Sequence, residues 1–182
     1  MNKTLTFITG NAAKAEQLAR HLEYPVAHKK LDLAEIQSLD LIEVVEHKAK
    51  EAYKHIQGSV LVEDTSLTFR ALGHLPGPLI KWFLTELDNE GLCKLLNGYD
   101  DRVAWAEVCF GFFDGEELKF FEGKMKGSIS KSPKGERGFG WDPIFIPEGH
   151  AKTWGEMTPE EQKDTSMRRI ALKKLEPFLR NR

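Results

Sequence analysis

"VLVEDTSLTF", residues 60–69, opens on an apolar β-branched run and then meets two adjacent carboxylates, Glu63 and Asp64, followed by two hydroxyls. Read as "SVLVED", it is the third strand of an alternating series. "KTLTFITG" (3–10) is a β-branched and aromatic run closed by Gly10, hence a strand. "NAAKAEQLARHL" (11–22) follows as an Ala-rich helix capped by Asn11, and a short second strand falls within "YPVAHKKLD" (24–32). "LIEVVEHKAKEAYKHI" (41–56) repeats the helical period, with Val45, Ala49, Ala52 and Ile56 on one stripe. Strand, helix, strand, helix, strand is an α/β signature. The opening stretch then poses a question: either the strand surfaces at Glu63 and Asp64, or something cationic waits at its end.

The second half of the chain segregates its elements. "LPGPLIKWFLTEL" (75–87) turns between Pro76 and Pro78 and enters a helix, and "GLCKLL" (91–96) reads as a shorter one. Residues 103–130 read as two strands joined at "DGEE", an Asp-Gly hairpin signal. "KSPKGERGFGWDPIFIP" (131–147) is a Gly-rich loop leading into a short strand. "TPEEQKD" (158–164) carries Thr158 as a cap, Pro159 at the first helical position and Glu161 to close a capping box. A last helix covers "SMRRIALKKLEPFL" (166–179). The expected sheet is therefore mixed, with a hairpin lobe.

Composition narrows the function. At 182 residues the chain is expected to be one domain, and 41% hydrophobic with 30% charged residues is ordinary for a globular protein. A net charge of −2 lacks the basic excess of a duplex DNA binder, so no nucleic-acid partner is expected. Cys93 and Cys109 form no CxxC pair and the six histidines show no zinc spacing, which favours reduced thiols and argues against a zinc site. No segment has the length and apolarity of a membrane span or signal peptide, so the expected location is cytoplasmic, without membrane contact.

Three cations fall where helical spacing puts apolar residues. Lys14 aligns with Leu18 and Leu22, Lys48 lies four residues from both Val44 and Ala52, and Arg168 lies four before Leu172. The rest of the last helix separates cleanly, with Met167, Ala171, Leu172, Leu175, Phe178 and Leu179 inward. One reading is snorkelling, in which long stems cover apolar surface and charged heads reach water. The other is a shared anion, because a buried ammonium without a counter-charge is costly. "TGNAAK" (9–14) suits the second, since a strand ending in a tight Gly turn before a helix aims backbone N–H groups at a phosphate. It is no P-loop, and an ordinary strand–helix turn has the same form.

Taken together, "TGNAAK", "VEDTSL", "LPGPLIKWF", "GFGWDPIF" and "SMRRIAL" resemble the Ham1 or inosine triphosphate pyrophosphatase family, in the family's order and over essentially the whole chain. The resemblance implies an elongated α/β fold of two lobes within one domain, 1–182, with a central mixed sheet flanked by helices and an active cleft between the lobes. It also implies a homodimer. The implied reaction is Mg²⁺-dependent hydrolysis of noncanonical purine nucleoside triphosphates (ITP, dITP, XTP) to the monophosphate and pyrophosphate, a cleansing of the nucleotide pool.

The same resemblance assigns roles. Asp64 becomes a metal ligand and the catalytic acid–base candidate, and Glu35 in "LDLAEIQ" the second metal carboxylate. Mg²⁺ takes oxygen ligands, commonly one or two carboxylates plus substrate phosphates. Lys14 and Lys48, with the backbone at Thr9, Gly10 and Asn11, would clamp the triphosphate, and Thr65 and Ser66 lie beside it. Phe139, Gly140, Trp141 and Asp142 would form the purine pocket; the aromatics offer stacking surface or belong to the core, and Asp142 can accept from a ring N–H. Lys163 and, from close relatives, Lys81 complete the substrate contacts. The family's Ser-His-Arg is here Ser166-Met167-Arg168. Met167 is then core filling with Arg168 sufficient for the 6-keto group, or it marks altered base selectivity, or the protein binds nucleotide with little hydrolysis.

Overall fold

The structure, a computed structural model, describes residues 4–10, 15, 18, 22 and 24–182. The elements are β1 (Leu5–Ile8), β2 (Val26–Lys29), α1 (Leu41–Ile56), β3 (Val60–Phe69), β4 (Pro76–Gly77) and α2 (Ile80–Lys94). They continue with β5 (Val103–Phe113), β6 (Leu118–Ile129), β7 (Phe145–Pro147), α3 (Pro159–Gln162) and α4 (Met167–Arg180). A seven-stranded sheet runs in the order β2-β1-β3-β5-β6-β7, with β4 paired to β3. β1 lies parallel to both β2 and β3, whereas β3–β4 and β6–β7 are antiparallel. The fold is the mixed α/β sheet that the alternating pattern implied. Of the first expected helix, Ala15, Leu18 and Leu22 are helical and buried; Asn11 and Lys14 lie outside the described residues.

One expectation is corrected. β3 does not stop at Asp64 but runs on to Phe69. The apolar alternation resumes after the polar stretch: Leu67 and Phe69 are fully buried, and Leu67 and Thr68 pair with Gly77 and Pro76. Glu63, Asp64 and Thr65 are thus half-buried in mid-strand, between two stretches anchored in apolar cores. The acids do not mark a strand end.

The chain groups into two compact units. The first comprises Met1–Asp64, Val108–Gly123 and Ile170–Arg182; the second comprises Thr65–Glu107 and Lys124–Arg169. In the first, α1 supplies Val45, Ala49 and Ala52 to a core with Val60, Val62 and Cys109, as the stripe foresaw. Asp40 starts this helix by accepting from the N–H groups of Ile42 and Glu43 (2.8 and 3.3 Å), a cap worth about 1 kcal/mol. The hairpin turn between β5 and β6 is tied by Asp114, whose Oδ1 accepts from Glu116 and Glu117.

In the second unit, Leu67, Phe69, Ile80, Leu92, Phe145 and Trp154 are among the core residues. α2 breaks at Asp88, which adopts φ 53°, and the Asp88 carboxylate then accepts from Gly91 N–H at 2.9 Å. The side chain restarts the helix that its own backbone interrupts, which is why "GLCKLL" reads as a separate piece. The capping box at Thr158 and Glu161 forms as expected. In α4, Ala171, Leu172, Leu175 and Leu179 are buried and Met167 and Phe178 half-buried. Both cysteines are buried and free, and burial pushes the Cys109 thiol up to about 12.

The packing of α1 on the sheet predicts a sensitive position. A β-carbon at Gly111 in β5 would lie 2.5 Å from Val45 Cγ1 and 3.3 Å from Val62 Cγ2. Gly111→Ala is therefore expected to destabilise the protein by about 1–3 kcal/mol through overpacking. A lowered urea midpoint at unchanged denaturant slope checks this.

Candidate active site

The first unit brings together one ammonium and two carboxylates. Lys48 projects from the second turn of α1, at the edge of the apolar stripe that holds Val44 and Ala52. Its Nζ lies 2.7 Å from Asp64 Oδ2 on β3 and 3.0 Å from Glu35 Oε1 in the segment before α1. The side chains are 14% exposed for Lys48, 23% for Asp64 and 46% for Glu35. Burial alone would depress the Lys48 ammonium; Asp64 first and Glu35 second more than offset it, and the pKa is raised. Lys48 stays charged through the neutral range. The opening question is answered here: a cation waits beside Asp64, and it is covalently part of the chain.

Asp64 and Glu35 come from elements far apart in sequence yet share one cation. That is the donor chemistry a hard divalent ion uses: two carboxylates, with room for substrate oxygens. Among the described residues, no group of three or more His, Cys, Asp or Glu side chains could hold a metal ion. Two carboxylates are a donor set that a divalent ion could use only with further oxygens from elsewhere. Glu63, next to Asp64, alternates to the other face of the strand.

Of the glycine turn after β1, Thr9 and Gly10 are described. Thr9 N–H donates to Lys29 O at 3.2 Å, and His28 Nε2 lies 2.8 Å from Thr9 O, so β2 fixes the end of β1. Gly10 is exposed.

The second unit contains the "GFGWD" loop, and its aromatics part company. Phe139 is 73% exposed, whereas Trp141 is 9% exposed and packs into the core with Ile144 and Phe145. Of the two stacking candidates, Trp141 is a core residue and Phe139 offers the open face. The loop below Phe139 is pinned: Asp142 Oδ2 accepts from Phe139 N–H at 2.7 Å, and Asn89 Nδ2 donates to Gly140 O at 2.9 Å. Gly138, at φ +86°, has a turn conformation that favours glycine, and any β-carbon there would run into the Asp142 carboxylate. Sequence reasoning missed these two pins, because neither a lone Asn nor an Asp next to a Trp signals a loop clamp.

Burial pushes the Asp142 carboxyl up to about 6, against the lowering effects of the Phe139 N–H and the Arg168 charge. Arg168 is half-buried, as the helical spacing implied. Met167 is half-buried and packs against the second unit's apolar core. Thr65 is half-buried; Ser66 is 2% exposed, with its hydroxyl 3.4 Å from that of Thr68, so it presents no open face. Lys81 is exposed on α2 with its Nζ 5.8 Å from the Trp82 ring centroid, and Lys163 is exposed at the end of α3.

Comparison with known proteins identifies the family. The sequence pattern of the Ham1 family matches residues 5–178, so the chain belongs to that family. It is 45% identical over 175 residues to "Inosine triphosphate pyrophosphatase 2" of Trypanosoma cruzi (strain CL Brener), covering 94% of this chain and 89% of that protein. The Ham1 protein of Staphylococcus aureus superposes with a TM-score of 0.86 at 26% identity, over 98% of this chain and 99% of the other. A Mycobacterium abscessus protein, "Nucleoside-triphosphatase / dITP/XTP pyrophosphatase", does so with 0.80 at 29% identity, over 96% and 99%. The chain is thus an enzyme, a hydrolase acting on acid anhydrides.

The buried carboxyl gives a pH-dependent prediction. With a pKa raised from 3.8 to about 6, Asp142 favours its neutral form in the folded state. Its penalty is absent below about pH 4 and grows as pH rises through 6. Asp142→Asn keeps an acceptor for Phe139 N–H and cannot ionise. Its stability relative to the parent is expected to rise by up to ~2–3 kcal/mol between pH 4 and pH 7.5. Urea unfolding of both proteins at the two pH values measures the difference.

Proposed function

We propose that the protein hydrolyses the α–β anhydride of noncanonical purine nucleoside triphosphates, ITP, dITP and XTP, releasing the monophosphate and pyrophosphate. The observation that carries this reading is the pair of carboxylates, Asp64 and Glu35, converging on the Lys48 ammonium. It is supported by what the Trypanosoma cruzi and Mycobacterium abscessus relatives are named for.

In this reading Asp64 and Glu35 hold Mg²⁺, which when bound neutralises phosphate charge and lowers the cost of generating hydroxide. Lys48, with Lys14 and the backbone at Thr9, Gly10 and Asn11, binds and orients the triphosphate. Positioning and charge stabilisation supply most of the catalysis in such chemistry. Asp64 would take a proton from water once Lys48 turns to phosphate. Phe139 stacks on the purine, a contact worth about 1–3 kcal/mol per base. Arg168 donates to the 6-keto oxygen, and Lys163, Lys81, Gly140, Asp142 and Thr65 complete or support the substrate contacts. The chain acts as a cytoplasmic homodimer of a one-domain protein, with no nucleic-acid or membrane partner.

Relaxed base selectivity is the second reading, because Met167 has no donor to offer where the family has His. Its packing against the apolar core favours the first: Met167 fills space and Arg168 carries recognition.

A pyrophosphate-release panel across inosine, deoxyinosine, xanthosine, guanosine and adenosine triphosphates, with and without Mg²⁺, tests both. Expected is Mg²⁺-dependent turnover, at least a hundredfold faster for inosine and xanthosine than for adenosine. Equal rates on all purines would establish the second reading. Asp64→Asn is expected to lose at least a thousandfold in kcat while remaining folded, with a lowered melting temperature because Lys48 loses its nearer counter-charge; near-normal turnover there ends the assignment.

A further inference from the structure

We infer that Lys48 is an internal counter-ion which excludes the divalent metal until nucleotide arrives, so that metal and triphosphate enter together. The inference rests on the proposed assignment of Asp64 and Glu35 as metal holders. Lys48 Nζ is within hydrogen-bond distance of one oxygen of each, 2.7 Å to Asp64 Oδ2 and 3.0 Å to Glu35 Oε1. Mg²⁺ needs oxygens at about 2.0–2.1 Å, so it would occupy the same small volume between the same two groups. Both cations cannot sit there at once. Both are attracted to the same carboxylates, and with two negative charges against three positive ones they repel each other.

The ammonium holds the position strongly. It is only 14% exposed and lies within hydrogen-bond distance of both carboxylates. A triphosphate changes the balance. Its oxygens offer Lys48 an alternative acceptor and supply the negative charge that lets ammonium and divalent ion share one site. Lys48 then turns from the carboxylates to phosphate, and Asp64 and Glu35 are released to the metal. By linkage, nucleotide raises metal affinity by the factor that metal raises nucleotide affinity.

Calorimetric titration of the full chain with Mn²⁺ tests this, with and without a non-hydrolysable α,β-methylene analogue of inosine triphosphate. Parent protein is expected to bind Mn²⁺ weakly alone and at least tenfold more tightly with the analogue. Lys48→Met, which keeps the stem and removes the charge, is expected to bind Mn²⁺ alone at least tenfold more tightly than the parent, and to lose most of the coupling. Lys48→Gln serves the same purpose should the methionine variant fail to fold, with thermal melting checking both. Equal or weaker Mn²⁺ binding by the folded lysine variants overturns the inference while leaving the metal assignment intact. Failure of the metal assignment shows separately, as unchanged Mn²⁺ affinity in Asp64→Asn with the analogue present.

Discussion

Holding an ammonium on α1 within hydrogen-bond reach of one carboxylate on β3 and another in the segment before α1 is the constraint around which the first unit is organised. An ion removed from water costs several kcal/mol unless its partners are well placed. Lys48, Asp64 and Glu35 meet that condition only while α1 keeps its distance from β3. That distance is set by apolar contacts: Val45, Ala49 and Ala52 on the helix, Val60 and Val62 on the strand. At Gly111 the absence of a side chain lets Val45 and Val62 close over β5. Apolar packing fixes the geometry of the polar group, and not the reverse. Removing one member of the triad would leave the others short of a counter-charge in a position where water cannot fully replace it.

The strand beneath the triad shows why this is affordable. β3 carries buried residues on both sides of the polar stretch, Val60–Val62 before it and Leu67 and Phe69 after it. Acids in mid-strand are tolerated because the flanking residues hold the backbone in the sheet regardless of what lies between. A strand that ended at Asp64 would leave the carboxylate on a mobile tip. The extension past it gives the acid a fixed direction, which its proposed catalytic role requires.

Much of this was legible in the amino-acid order. The span of α1 and its buried face follow from helical periodicity, and the inward position of Lys48 from the same spacing. The capping box at Thr158 and the Asp-Gly hairpin follow from local chemistry that needs no tertiary information. What failed was the reach of β3, because four polar residues interrupt the alternation and its partner, Pro76 and Gly77, carries no strand pattern of its own. Glu35 was legible only through family resemblance: an acid in an irregular, exposed segment has no periodicity to betray it. The choice between Phe139 and Trp141 was likewise beyond pattern reading, since two aromatics two residues apart in a glycine-rich loop give no rule for which turns inward.

In the proposed site that loop bears on base selectivity. Its backbone is fixed by the Asp142 carboxylate and the Asn89 amide, so the exposed ring of Phe139 projects from a defined base. A stacking face, however, is indifferent to the substituent at position 6 of a purine. Discrimination has to come from a hydrogen bond, and in the proposed site Met167 supplies none. A guanidinium only donates. Opposite a 6-keto oxygen it is satisfied; opposite the 6-amino group of adenine, two donors face each other and one is stranded. A site that leaves its own polar group unpaired rejects the wrong substrate far more strongly than one that merely lacks a favourable contact. Arg168 can therefore reject adenine without the family's histidine, provided its guanidinium is held toward the base. Asp142, electrostatically coupled to Arg168 and tied to Phe139 N–H, is placed to link that orientation to the loop that carries the stacking ring.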